Sequence, residues 1–464
     1  MKYIPMIGLE IHVQLHTQSK LFCGCPTRGA AGPNTAVCPV CLGHPGSKPI
    51  LNKKAMEFAV QVAMALNCTV NESFSFSRKT YFYPDLSKNF QITQYELPIG
   101  SDGNLKIGEK KIRITRIHLE EDPAALVHQR ANCLVDYNRS GIPLVEIVTE
   151  PDFSSPREAR EFMDKLLNLL NFMNVFVHGE DVLKADCNIS LKGFERAEIK
   201  NVSGFRNIEK ALSHEIERQT RMAETGEKME RETRGFDEEK QLTYGMRKKE
   251  TEEDYGYIFE PDLTPIILGK KSVEEIRKKL PEMPEQKSRR FQKEFGLKEY
   301  DANVLCGNKK LAELFEAIAK TITPKTAATF LTREILGIIH YNKLELNETE
   351  LNAPELAGLL QLLEKEKVSE KNAKQAAIEY VLHQIPPKRF LEKQGLLLDL
   401  NADEVEKTIE RVLKANPKAV ADLKAGNQKS LNFLVGIVMR ETKGKAAPRE
   451  VQKRIEQKTK AKPS

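Results

Sequence analysis

Four cysteines near the start of the chain, Cys23, Cys25, Cys38 and Cys41, are spaced as C-x-C, twelve residues, then C-x-x-C. Thiolates at such spacing close a tetrahedral zinc site, and zinc clips a loop too small to bury a core of its own. A site of this kind organises structure and does not react, so the chemistry has to lie elsewhere. The other candidates fall on segments that read as strands: Glu10 with His12, Glu120-Glu121-Asp122, Glu146, Glu150, and Asp186 with Asn188. Glu10 and His12 stand two apart, so on one strand they share a face. Converging carboxylates repel one another, and a divalent cation relieves the repulsion. A mixed histidine and carboxylate set with room for water and phosphate oxygens suits Mg²⁺ or Mn²⁺. Cations lie close by in the sequence: Arg78-Lys79, Lys88, Arg113, Arg116, Arg139 and Lys200. Basic groups with metal ions are what phosphoryl transfer requires, because a negative acceptor must approach a negative phosphate. The chain has no G-x-x-x-x-G-K-[ST] and no G-x-G-x-x-G, so any nucleotide site is of another kind. It also has no Gly-Gly dipeptide and no Gly/Ser-rich amidase stretch. The residues alone lead as far as metal-assisted chemistry on a phosphate.

The elements that must position these groups divide by type. Short alternating segments fill the chain to about residue 293; Tyr3–Leu15, Arg113–His118 and Leu144–Val148 read as strands, with Ile107-Gly108 leading into the second. Ser155-Pro156-Arg157-Glu158 is a capping box with proline at the first helical position, followed by apolar Phe162, Leu166, Leu169 and Leu170. Ser272 and Glu275 are expected to open a second helix in the same way, and Pro281-Glu282-Met283-Pro284 punctuates the chain. Beyond residue 300 the period is helical, as in Leu311, Leu314, Phe315 and Ile318, with Pro386-Pro387 as a break and Asn401-Ala402-Asp403-Glu404 as a helix start. The expected class is α+β: a first domain over 1–293 built on a mostly antiparallel sheet with the cysteine loop, then helical modules over 294–405 and 406–464.

The chain of 464 residues is too long for one core, and 40% hydrophobic with 30% charged residues describes a globular protein. Glu10 and His12 stand where a signal peptide needs an apolar run, and no stretch approaches eighteen apolar residues. Cys68, Cys133, Cys187 and Cys306 show no paired spacing, so a reducing cytoplasm is the expected location. Of the net charge of +6, the last 48 residues hold twelve Lys or Arg against four Asp or Glu. A basic tail on a near-neutral body points to a polyanionic partner held by the tail.

Several long stretches carry a resemblance: Ile7-Gly8-Leu9-Glu10-Ile11-His12-Val13-Gln14, the cysteine loop with Pro33-Asn34-Thr35, Tyr81-Phe82-Tyr83-Pro84-Asp85-Leu86 and Ile117-His118-Leu119-Glu120-Glu121-Asp122. Gly141 to Asp152, Glu198-Ile199-Lys200-Asn201, and Phe433-Leu434-Val435-Gly436 with Thr442-Lys443-Gly444-Lys445-Ala446 complete it. In this order they resemble the GatB family, the B subunit of the aspartyl/glutamyl-tRNA amidotransferase, over the whole length. The resemblance implies a cradle domain, a helical domain and a tail similar to the YqeY proteins. It implies an enzyme that uses ATP and Mg²⁺ to phosphorylate the side-chain carboxylate of Glu on tRNA(Gln) or of Asp on tRNA(Asn). Ammonia, supplied by a partner amidase (glutaminase) subunit that a small third subunit braces, then displaces phosphate. On this basis Glu10, His12, Glu121 and Glu150 are assigned to magnesium, with Glu120 and Glu146 as neighbours. Lys79, Lys88, Arg139 and Lys200 are assigned to phosphate or the tRNA terminus, and Asp186 and Asn188 to orienting the metals or the ammonia exit. Lys429, Arg440, Lys443 and Lys445 are assigned to the tRNA backbone. Three segments depart from the family's pattern: Pro123-Ala124-Ala125, Leu183-Lys184-Ala185-Asp186-Cys187-Asn188, and Asp254-Tyr255-Gly256-Tyr257-Ile258-Phe259. A zinc-bearing scaffold that only presents tRNA, and a phosphohydrolase that turns over ATP without tRNA, are the competing readings.

Overall fold

The computed structural model describes residues 3–130, 132–248, 256–346, 349–398, 402–425, 427–442, 446 and 448–460. Two compact units divide the chain, Met1–Met283 and Pro284–Ser464. Alternating sequence in the first unit produces strands β1 (Pro5–Gln14), β2 (Thr69–Val70), β3 (Ser73–Phe74), β4 (Ser77–Thr80), β5 (Gln91–Thr93) and β6 (Gly100–Ile107). There follow β7 (Lys110–Glu121), β8 (Ala125–His128), β9 (Cys133–Asp136), β10 (Pro143–Thr149), β11 (Leu183–Leu191) and β12 (Ala197–Ser203). The last are β13 (Glu232–Asp237), β14 (Leu242–Lys248), β15 (Gly256–Phe259) and β16 (Ile266–Ile267).

Nine of these strands form one sheet in the order β14-β13-β12-β11-β1-β10-β7-β6-β2. Every pairing in it is antiparallel except β12 with β13. The central strand β1 carries its aliphatic side chains at alternate positions. Ile7, Leu9, Ile11 and Val13 are almost fully buried on one face, where helices α1 (Lys53–Ala65), α2 (Pro156–Phe172) and α3 (Phe205–Thr225) contribute to the same core. Burying that apolar face fixes the register, since a slip of one residue would turn Glu10 and His12 into the core. β15, β4 and β5 make a small separate sheet.

The capping box operates as expected: Ser155 Oγ accepts from Glu158 N–H, and the Glu158 carboxylate accepts from Ser154 N–H at 2.8 Å, one residue before the cap. The second expected helix start is displaced. Helix α4 (Lys270–Lys278) is capped by Gly269 without a side-chain bond, and Ser272 already lies inside it. Pairing of β16 with β3 and burial of Leu268 bring the chain in one turn earlier than the Ser/Glu pattern indicates.

Within the second unit the helices are α5 (Pro284–Phe295), α6 (Glu299–Cys306), α7 (Lys309–Ile318), α8 (Pro324–Thr329), a π turn (Phe330–Ile335) and α9 (Leu336–Tyr341). They continue as α10 (Ala353–Glu364), α11 (Glu370–His383), α12 (Pro387–Lys393), α13 (Ala402–Ala415), α14 (Pro417–Lys424), α15 (Gln428–Glu441) and α16 (Pro448–Lys460). Helix α5, expected with the first domain, packs Phe291 against Phe315 of α7 at 4.8 Å between ring centroids. The tail helices share a core of their own around Ile409, Val412, Leu431, Leu434, Val438 and Ile455. Asn401, expected at a helix start, lies outside the described residues, as do Lys443 and Lys445. No helix of the described residues is long and apolar enough to cross a membrane.

Candidate active site

On the face of the sheet opposite the core, cross-strand register sets polar side chains in rows. His12 of β1 lies opposite Glu146 of β10, and Glu146 lies opposite His118 of β7. One step along, Glu10 lies opposite Asp186 of β11, and beyond it Gly8 lies opposite Asn188. Side chains of directly paired residues point to one face, so the rows converge. His12 Nε2 is 3.3 Å from Glu146 Oε2, 3.5 Å from Glu120 Oε1 and 3.9 Å from Glu10 Oε1. His118 Nε2 is 3.4 Å from the same Glu146 oxygen and 3.8 Å from Glu120. Thr93 Oγ1 of β5 donates to Glu120. Two donor triads result, Glu10–His12–Glu146 and His118–Glu120–Glu146, with Glu146 in both.

The charges of this cluster are mutually dependent. Repulsion from Glu146, with burial, raises the Glu10 carboxyl to about 7. Burial opposes charge on both histidines. The hydrogen bond to Glu146 and the carboxylates of Glu146, Glu120 and Asp186 nevertheless raise His12 to about 10. Glu146 and Glu120 likewise raise His118 to about 9. Against its own burial, Glu146 is held well below the usual carboxylate range by His118 and His12. Crowded carboxylates balanced by imidazolium protons form a donor set that fits a divalent cation, which would take the place of those protons.

The cluster lies in a cleft of about 810 Å³ whose walls also carry Lys79, Arg116, Arg196, Lys200 and Arg231. Lys200 Nζ donates to Asp186 at 2.7 Å and reaches Glu198 at 3.1 Å. Burial disfavours charge on Lys200 and Lys79, but the surrounding carboxylates raise both above their ordinary value. Asp186 sits at a bulge between β11 and β12, where it also accepts from the Asn201 N–H. At the rim Tyr95 and Tyr257 stack at 4.1 Å between centroids.

The four cysteine sulfurs of Cys23, Cys25, Cys38 and Cys41 lie within 4.8 Å of one another. Cys41 Sγ accepts from the Cys38 N–H at 3.1 Å. The hydrogen bond between Cys23 and Cys41 pulls the Cys41 thiol down to about 4 and pushes Cys23 up. A four-sulfur set of this compactness fits structural zinc.

A family model described as the GatB/GatE catalytic domain matches residues 5–274, and one described as the GatB domain matches residues 313–459. The B subunit of the aspartyl/glutamyl-tRNA(Asn/Gln) amidotransferase of Thermotoga maritima is 45% identical, with 99% of each chain covered. The protein of the same name from Persephonella marina is 43% identical over 98% of this chain and 99% of its own. That of Caldanaerobacter subterraneus subsp. tengcongensis is 44% identical over 97% of each. The chain belongs to the GatB family.

Within this GatB chain the residues read from sequence separate into two groups. Glu10, His12, Glu120 and Glu146 come together, with Lys79, Asn188 and Lys200 on the walls of the same cleft. Glu121, next to Glu120 on β7, points to the other face. There it binds Lys88 Nζ at 2.5 and 2.7 Å and accepts from the Ile92 N–H. Glu150, past the end of β10, accepts from Thr115 Oγ1 and takes no part in either triad. Arg139 donates to the carbonyls of Pro123 and Ala124, within the segment that departs from the family pattern. The side chains assigned to magnesium at Glu121 and Glu150 and to phosphate at Lys88 and Arg139 therefore do not join this cluster: strand alternation and local hydrogen bonds turn them elsewhere. His118 and Tyr257 were missed. Period-two alternation back from Glu120 points to His118, whereas nothing local marks Tyr257.

Proposed function

We propose that the cleft phosphorylates and then amidates the side-chain carboxylate of Glu on tRNA(Gln), Asp on tRNA(Asn), or both. ATP is the phosphoryl donor, and ammonia comes from a partner glutaminase held in the same complex, together with a small third subunit. The observation that carries this reading is the convergence of Glu10, His12, His118, Glu120 and Glu146 with two lysines in one cleft.

A carboxylate is a poor electrophile at neutral pH. Attack of its oxygen on the γ-phosphorus, with ADP leaving, makes an acyl phosphate; ammonia then forms the C–N bond as phosphate departs. Mg²⁺ held by Glu10, His12, Glu146 and, through the second triad, Glu120 and His118 would supply charge neutralisation at the transferring phosphoryl group. Lys79 and Lys200, kept charged by their carboxylate neighbours, orient phosphate oxygens from the walls. The closed apolar face beneath β1 keeps the platform rigid, and the cleft limits access of water to the activated carboxyl.

The test mixes the chain with its partner subunits, Mg²⁺, labelled ATP and either Glu-tRNA(Gln) or Asp-tRNA(Asn), and follows ADP. Formation of ADP only with mischarged tRNA supports the reading. Turnover independent of tRNA identifies a phosphohydrolase, and tRNA binding without turnover identifies a scaffold.

A further inference from the structure

Lys20 is fully buried, with no exposed surface. A buried ammonium without a counter-charge is strongly disfavoured, so its surroundings identify what it serves. Its Nζ donates to the Tyr137 carbonyl at 3.2 Å and to Cys41 Sγ at 3.7 Å, and among the described residues no carboxylate pairs with it. The backbone is arranged to hold it there. Lys20 N–H donates to the Cys25 carbonyl at 2.9 Å, and the next residue, Leu21, donates to the carbonyl of Gly141, a residue at φ +87. Strands and cysteine loop thus deliver a buried cation to the sulfur cluster.

We propose that Lys20 is a tuning residue of a zinc site formed by Cys23, Cys25, Cys38 and Cys41, its ammonium binding the Cys41 thiolate and offsetting charge on the cluster. The proposal rests on the zinc reading of the four cysteines. Four thiolates around Zn²⁺ carry two net negative charges, and a lysine held at one sulfur compensates part of that charge in a setting screened from water. A hydrogen bond to the sulfur also draws electron density from the metal–thiolate bond, as outer-shell donors do.

The measurement is competition for zinc between the full chain and a chromophoric chelator, for wild type, Lys20→Met and Lys20→Arg, with cobalt-loaded samples read by their thiolate charge-transfer absorption. Removing an outer-shell partner should weaken zinc binding by about 10- to 100-fold in Lys20→Met and shift the cobalt band. Lys20→Arg, which keeps the charge, should retain zinc affinity better than Lys20→Met and decides the matter alone if Lys20→Met does not fold. Affinity and band unchanged in Lys20→Met, or lost equally in both variants, overturns the role of Lys20. A wild type that takes up no zinc, with all four thiols open to alkylation under native conditions, overturns the zinc reading itself.

Discussion

Glu146 is the residue on which the site turns, because its carboxylate belongs to both donor triads and holds both imidazoles within 3.4 Å. Glu150, four residues on, has its carboxylate engaged with a threonine hydroxyl at the strand end. The two therefore should separate under substitution. Glu146→Ala should lower tRNA-dependent ADP formation by about 10²-fold or more, the scale on which a preorganised charge contact acts. Glu150→Ala should stay within about twofold, as expected for a substitution outside such a network. Equal losses from both in the ADP assay would contradict the geometry. Glu10 and Glu146 could be singled out as carboxylates from the sequence, but not ranked, since rank depends on which strand lies beside which.

Among the elements, α5 and α7 are tied by a small ion network in which Glu316 binds both Lys287 and Arg290. Although burial opposes it, these partners hold the Glu316 carboxyl below its ordinary 4.5. The network therefore stabilises the folded chain above pH 4.5, and the contribution is lost as pH falls through the lowered folded value. At pH 7 Glu316→Gln should cost on the order of 1 kcal/mol, the scale of partly exposed pairs, and less at pH 3. Denaturant midpoints of wild type and variant at the two pH values check this; a difference that does not shrink at pH 3 would assign the loss to packing. Sequence alone placed residues 284–293 with the first domain; the partner of α5 was settled only by Phe291 meeting Phe315 from a separate helix.

Across the whole molecule charge is unevenly spread, with the basic excess confined to the last 48 residues and the body slightly acidic. Lys429 and Arg440 are on α15, whose apolar face supplies Leu431, Leu434 and Val438 to the tail core. If this helix contacts a tRNA backbone, Lys429→Glu should weaken tRNA binding uniformly across tRNA sequences. It should also reduce the slope of log affinity against log salt by roughly 1. Fluorescence titration over a range of salt concentrations reads both, and an unchanged slope removes Lys429 from the interface.

Composition and local spacing were enough to determine the α+β class, the cysteine loop, the capped helix at Ser155 and the basic tail, because each depends on neighbours within a few residues. The same local logic misjudged the helix start at Ser272, where pairing of β16 with β3 set the entry. Tertiary structure alone decided the membership of the candidate site. Glu120 and Glu121 are chemically alike and adjacent, yet the pleat sends one into the cleft and the other to Lys88. His118, Lys79 and Tyr257 reach the cleft, and Lys20 the cysteines, through contacts between distant segments. Strand order and register place such groups together, and neither is written in any short stretch of sequence.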